Sequence, residues 1–273
     1  MQEGHLSAHA GGPMQIAHSA DGTPLAYERF GDTGPAVVFA AGAQCDRRAF
    51  AVHAGALAAL GHVTYVYDRR GRGDSGDTPP YAVDREIEDL AAVIDAAGGR
   101  AGVFGHSSGA VLAARAALAG LPITRLALYE PPYGTDGEAG REHAAYRTRL
   151  TELLSDGQHE DAVELFLRHV GMPAQAVTGL RAAPGWGAMV RLAPTLAYEA
   201  AVLDDGLLPA GDLARLAPPV LAMEGEHGPE VLKRAVQGVL AAVPAAQHAV
   251  LKDQDHNVTP EALAPELAVF FAG

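Results

Sequence analysis

Five residues, Gly105-His106-Ser107-Ser108-Gly109, carry the most specific chemical signal in this sequence. An apolar run, Ala101 to Phe104, precedes them and an alanine-rich, helix-forming run follows, so the pattern fits a sharp strand-to-helix turn. On such a turn the glycines let strand and helix approach closely while the serine hydroxyl is lifted above the sheet. The chemistry expected there is nucleophilic attack by Ser107. A serine hydroxyl is too weakly acidic to attack alone; it needs an imidazole to take its proton, a carboxylate to orient that imidazole, and N–H donors for an oxyanion. Twelve histidines compete for the base. His106 adjoins the serine, but as the variable residue of the motif its side chain is expected to point away and to pack or hydrogen-bond. His5, His9, His18, His143 and His159 read as surface histidines.

Other chemistries find less support. Gly71 to Gly76 lacks the Gly-Lys-Ser/Thr ending that cradles phosphate, and Arg72-Gly73-Asp74 reads as part of a structural turn. No H-E-x-x-H or carboxylate cluster suggests a catalytic metal, so neither metal nor cofactor is expected. The single cysteine, Cys45, cannot form an intrachain disulfide. With 33 acidic and 20 basic residues the chain carries a formal charge of -13, which repels phosphate backbones and anionic bilayers. The expected partner is a small-molecule substrate, with no nucleic acid and no membrane; oligomeric state is not encoded legibly. No uninterrupted apolar stretch reaches the roughly 18 residues of a spanning helix, and Met1 to Met14 lacks a basic and an apolar segment in signal-peptide order. That segment reads as a loose N-terminal extension, and the expected location is cytoplasmic.

The elements that must position Ser107 follow from apolar patterning. Met14 to Ala17 and Leu25 to Phe30 flank Asp21-Gly22-Thr23, the signature of an antiparallel hairpin. Short apolar runs at Ala36 to Ala41, Val63 to Tyr67, Ala101 to Phe104, Leu126 to Tyr129, Pro219 to Met223 and Ala246 to Leu251 predict strands buried on both faces of a parallel sheet. Between them lie helical patterns such as Ile87, Leu90, Ala91 and Ile94, stopped by Gly98-Gly99. Alternating strands and helices predict an α/β fold with helices on both faces. From about Gly134 to Gly211 the alternation stops; Leu150, Leu153 and Leu154, then Val163, Leu165, Phe166 and Leu167, predict several helices inserted between two strands. Trp186, Tyr146, Tyr198, Phe166 and Met189 are candidates to line an apolar pocket there, with helix-core packing the commoner fate of such side chains.

In this order the sequence resembles the α/β-hydrolase superfamily over most of its length. The resemblance is carried by the Asp21-Gly22 hairpin, Ala41-Gly42-Ala43 after the third strand, Tyr67-Asp68-Arg69-Arg70-Gly71-Arg72-Gly73-Asp74-Ser75 after the fourth, the Ser107 turn, and Asp255-His256 before the closing helix. It implies a mostly parallel eight-stranded sheet with a helical cap, the core spanning 1–133 and 212–273 and the cap 134–211. It also implies a Ser, acid, His triad. His256, in the polar loop between the last strand and the helix near Pro260, matches the family's catalytic histidine. Backbone N–H groups of Ala43 and Ser108 match the oxyanion hole; Ala41 stands where the family usually has histidine, which leaves the backbone donor in place. Cys45, two residues beyond Ala43, either lines the pocket or is a structural thiol.

The acid departs from the family pattern, because Gly228 stands where an Asp is common. Some relatives carry the acid after the preceding strand, which here ends in Glu130-Pro131-Pro132. Glu130 preserves the chain order Ser, acid, His and precedes a rigid turn. It is the first candidate, with Glu226 the second. The function these residues imply is a serine hydrolase cleaving a small or medium ester, thioester or lactone through an acyl-enzyme. The alternatives are a non-hydrolytic enzyme of the same fold (lyase, cyclase or perhydrolase) and a ligand-binding protein with a decayed triad.

Overall fold

The computed structural model describes residues 11–273; residues 1–10, with His5, His9 and most of the expected N-terminal extension, lie outside the described residues. Eight strands form one sheet: β1 (Gln15–His18), β2 (Pro24–Phe30), β3 (Ala36–Ala40), β4 (Val63–Tyr67), β5 (Ala101–His106), β6 (Ile123–Tyr129), β7 (Val220–Gly225) and β8 (Gln247–Leu251). Their spatial order is β1-β2-β4-β3-β5-β6-β7-β8. β2 runs antiparallel to β1 and to β4, and every pair from β4 through β8 is parallel.

Successive strand residues face opposite sides of a sheet, and that period divides the core in two. Val38, Val103, Leu126, Leu128 and Ala222 pack on one side, with residues of α2 (Val83–Ala96), α3 (Ser108–Leu118) and α10 (Glu230–Ala242). Val37, Phe39, Phe104, Ala127, Leu221 and Met223 pack on the other, with α1 (Ala51–Ala59) and α11 (Pro260–Ala272). Both faces are covered, so the central strands are apolar without alternation, the pattern that marked them in the sequence.

Between β6 and β7 the chain forms α4 (Gly137–Ser155), α5 (His159–His169), α6 (Ala174–Arg181), α7 (Trp186–Arg191), α8 (Leu196–Leu203) and α9 (Ala210–Leu213). Tyr146, Leu150, Leu153, Val163, Leu167, Trp186 and Leu196 make an apolar cluster of their own, distinct from the two on the sheet. The ends of this segment are tied together: Gly134 N–H donates to Gly206 O (2.7 Å) and Leu208 N–H to Gly134 O (2.9 Å). Four of the five pocket candidates belong to helix packing, with Tyr146 and Trp186 inside this cluster and Phe166 and Met189 against it. The fifth, Tyr198, stacks on Tyr81 at 3.9 Å and donates to Asp77.

One histidine expected at the surface is elsewhere. His143 is buried, its ring pressed against Gly206, because a residue that reads as polar in a helix of mixed character here faces α8 and the loop after it. No helix among the described residues is long and apolar enough to cross a membrane.

Candidate active site

Ser107 occupies the turn between β5 and α3 with φ 55° and ψ -127°, a backbone conformation that a residue with a Cβ adopts only where its surroundings impose it. The glycines on either side explain how. A methyl group at Gly105 would stand 2.5 Å from Ala110 Cα, and one at Gly109 2.1 Å from Ala40 O, so any other residue would push α3 off the sheet. Ser107 N–H donates to Tyr129 O at 3.0 Å, continuing the β5–β6 ladder into the turn. The side chain is half-buried.

His256 lies in the loop between β8 and α11, and two hydrogen bonds hold that loop to the strand ends. Tyr129 Oη donates to Asp255 O (2.6 Å), and His106 Nε2 bonds to His256 O (2.9 Å), which fixes the Nε2–H tautomer of His106. The His106 ring packs 4.6 Å from the ring of His256, 5.2 Å from Phe50 and 5.8 Å from Tyr129. Burial, reinforced by nearby His256, pulls its pKa down to about 3, so it is neutral at any ordinary pH.

A testable consequence concerns acid stability. The folded-state pKa of His106 lies below the value of about 6.5 for the unfolded chain, so the unfolded state binds the proton first. Stability is then full above pH about 6.5 and falls as pH drops below it, by about 1.4 kcal/mol per pH unit from this residue. Burial shifts His62 and His143 in the same direction. Urea unfolding between pH 6.5 and 5 is expected to show a loss whose slope is shallower in His106→Phe by about one proton; equal slopes would contradict it.

Glu130 follows β6 with φ 45° and is fully buried. Its Oε2 lies 2.6 Å from His256 Nδ1, and its Oε1 accepts Gly225 N–H at 2.9 Å. Gly228 explains the room it occupies: a methyl group there would sit 2.0 Å from Glu130 Oε1. The carboxylate from β6 thus fills the volume that a side chain after β7 would need. Glu226, the other candidate, is exposed and accepts Asp253 N–H, while Asp255 accepts Asn257 N–H. Neither is on His256. Glu226, His227 and Asp253 bring possible ligand atoms within 4.8 Å of one another on this surface, all exposed.

The Ala41-Gly42-Ala43 turn after β3 lies directly against the Ser107 turn: a methyl group at Gly42 would be 3.0 Å from Ser107 Cβ. Ser108 begins α3, so its N–H has no intrahelical acceptor, and among the described residues Ala43 N–H donates to no backbone carbonyl. Cys45 is free and half-buried, and burial pushes its thiol pKa up, which leaves it a poor nucleophile. A cavity of about 270 Å³ lies elsewhere, lined by Val111, Arg115, Tyr133, Leu203 and Asp212 among others, and contains neither Ser107 nor His256.

Arg69 and Arg72 belong to the arginine-rich turn that stands out in the sequence, whereas Glu86 and Glu199 carry no local mark. These side chains are buried together behind the Ala41–Ala43 turn. Arg69 donates to Glu86, Glu199 and Ala41 O, and Arg72 to Glu199 and Gly42 O. Only the arginine-rich turn was visible beforehand; nothing in the local sequence marks Glu199 as its partner.

The model of the alpha/beta hydrolase family matches residues 37–267. An alpha/beta hydrolase from Sphaerobacter thermophilus is 47% identical, with 94% of this chain and 100% of that one covered and a TM-score of 0.86. Two more distant structures share the fold. A hydrolase from Pseudomonas aeruginosa is 23% identical, covering 96% and 99% of the two chains at a TM-score of 0.76. An esterase from Exiguobacterium antarcticum is 16% identical, covering 95% and 99% at 0.71. No curated protein matches this chain. The family match over most of the sequence, with a relative of nearly half-identical sequence along its full length, means that the chain belongs to the alpha/beta hydrolase family.

Proposed function

We propose that this protein is a serine hydrolase that cleaves a small or medium ester, thioester or lactone through an acyl-enzyme. The observation that carries the reading is the 2.6 Å contact between His256 Nδ1 and the buried Glu130 carboxylate, in a molecule whose Ser107 has the positive φ of a strained strand-to-helix turn. With Nδ1 engaged, Nε2 is the ring nitrogen left to take the Ser107 proton.

In the proposed cycle Ser107 Oγ bonds to the carbonyl carbon as its proton passes to His256 Nε2. The carbonyl π electrons move to oxygen, and Ala43 and Ser108 N–H donate to that oxyanion. Collapse expels the alcohol, thiol or, for a lactone, the tethered hydroxyl, which receives the proton from His256. Water then repeats the sequence and releases the acid. Glu130 orients the ring and stabilises the imidazolium formed in each half. Helices α4–α9, expected from sequence as a cap over 134–211, would cover the acyl-binding side.

A ligand-binding protein with a decayed triad was suggested only by Gly228, and Glu130 occupies the space in question. A fluorophosphonate probe tests the reading directly. Folded protein is expected to take up one probe per chain, on Ser107. Absence of labelling in folded protein would defeat the hydrolase assignment and favour a lyase, cyclase or other non-hydrolytic use of the site.

A further inference from the structure

We infer that Arg72, held by Glu199 of α8, is a positioning residue for the oxyanion hole, acting from behind through the Gly42–Ala43 peptide. This inference rests on the Ser107 chemistry proposed above and adds a residue to it. The argument begins with peptide geometry. In a trans peptide the C=O of one residue and the N–H of the next share a plane and point in opposite directions. Gly42 C=O and Ala43 N–H are one such unit. Arg72 Nη1 donates to Gly42 O at 2.7 Å, so a guanidinium fixes the rear of the plane whose front carries the proposed oxyanion donor. The preceding peptide is held in the same way, with Arg69 Nη1 donating to Ala41 O at 3.2 Å.

Two effects follow. One is orientational: a turn with glycine at its centre, against Ser107, would otherwise have freedom to rotate that peptide. The other is electrostatic. A charge-assisted bond to the carbonyl oxygen draws electron density from the amide and makes the N–H opposite a stronger donor, in a setting where water does not screen it. Arg72 is fully buried; burial and the adjacent Arg69 lower its pKa to about 10, which still leaves it protonated at neutral pH.

Glu199 gives the arrangement its second half. Arg69 and Arg72 bring two buried positive charges, and Glu86 and Glu199 balance them. Glu86 is bonded to Arg69, while Glu199 bonds both arginines and is the carboxylate that reaches Arg72. It sits on a helix of the segment between β6 and β7. That helix is docked on the arginine-bearing turn, with Tyr198 stacked on Tyr81 and Thr195 near Gly71. The helical segment is thereby joined to the oxyanion turn through one carboxylate, and its α8 must be in place for Arg72 to be neutralised.

The test compares two charge-neutral double variants, since removing one member alone would strand a buried charge. Arg72→Gln/Glu199→Gln removes the proposed relay. Arg70→Gln/Asp89→Asn removes a buried pair of the same kind that touches neither Ala41 nor Gly42. The readouts are p-nitrophenyl butyrate hydrolysis and inhibition by an aryl trifluoromethyl ketone, whose serine adduct places an oxyanion in the hole. For the first pair kcat is expected to fall by about tenfold to a hundredfold, KM to stay within about threefold, and the ketone to bind more weakly by the factor lost from kcat/KM. The Arg70 pair is expected to lose thermal stability while keeping kcat and ketone affinity. Wild-type kcat in the Arg72 pair, or a loss of kcat with unchanged ketone affinity, would overturn the inference. If the Arg72 pair does not fold, Arg72→Lys decides: parallel loss of kcat and ketone affinity supports the relay, and wild-type values in both overturn it. Failure of the underlying reading is separate, since the wild-type protein would then show neither fluorophosphonate labelling nor ketone inhibition.

Discussion

Ser107→Ala is expected to abolish ester turnover and leave the protein folded. The substitution removes one oxygen from a half-buried side chain. Alanine has the same Cβ as serine, so the strain of φ 55° is unchanged and the cost in stability should stay within about 0.5 kcal/mol. The kinetic cost is of another order. In the proposed cycle Ser107 forms the only covalent bond to substrate, and loss of the nucleophile from a triad lowers kcat by at least about a thousandfold, the residue reflecting binding and the oxyanion donors. Hydrolysis of p-nitrophenyl butyrate together with thermal unfolding separates the two quantities. Near wild-type hydrolysis by the folded variant would exclude Ser107 as nucleophile and with it the acyl-enzyme.

The turn that carries Ser107 was legible because its constraints are local. Gly105 and Gly109 each face a backbone atom within 2.6 Å of where a Cβ would be, and such close approach leaves glycine as a trace in the sequence. The strands were legible for a similar reason, since burial on both faces leaves continuous apolar runs. Their ends were not. β7 continues through Glu224 and Gly225, because Glu224 is buried and pairs with His248 of β8 at 3.1 Å, a partner 24 residues away. β6 begins at Ile123, because Arg125 lays its guanidinium over Phe270 and donates to Gly273 O, which lets a charged residue sit within a strand. In both places a polar residue read as a boundary is satisfied by a distant part of the chain.

The same physics divides the site. His256 stood out through the family resemblance, which expects a histidine in the loop before the last helix. The ion cluster behind the Ala41–Ala43 turn could not, since Glu199 reaches Arg69 and Arg72 across 130 and 127 residues and only packing of α8 brings them together. His143 shows the converse: it sits in a helix of mixed character, and only the approach of Gly206 to its ring buries it. Glu130 lies between these cases. Its position at a strand end made it a candidate, but the reason it reaches His256 is the missing side chain at Gly228, nearly a hundred residues later.

That relation between Glu130 and Gly228 yields the sharpest expectation for the acid. Glu130→Gln keeps the shape of the side chain and can still accept Gly225 N–H through its amide oxygen, so the fold should persist. An amide cannot stabilise the imidazolium and can select the wrong His256 tautomer, so kcat should fall by about a thousandfold or more. Glu226→Gln should have little effect, since that carboxylate serves Asp253 N–H on the surface. Gly228→Asp alone should damage the enzyme, because its Cβ would collide with Glu130 Oε1 at 2.0 Å and force one carboxylate out of a space built for one. In Glu130→Ala the collision is gone, and adding Gly228→Asp puts a carboxylate back into the same volume from the neighbouring strand. The double variant should therefore turn over ester at least about tenfold faster than Glu130→Ala, a sign reversal for Gly228→Asp that only residues sharing one space produce. If Gly228→Asp is equally harmful in both backgrounds, or Glu130→Gln keeps wild-type kcat, the carboxylate at 2.6 Å from His256 is structural and the orienting acid lies elsewhere.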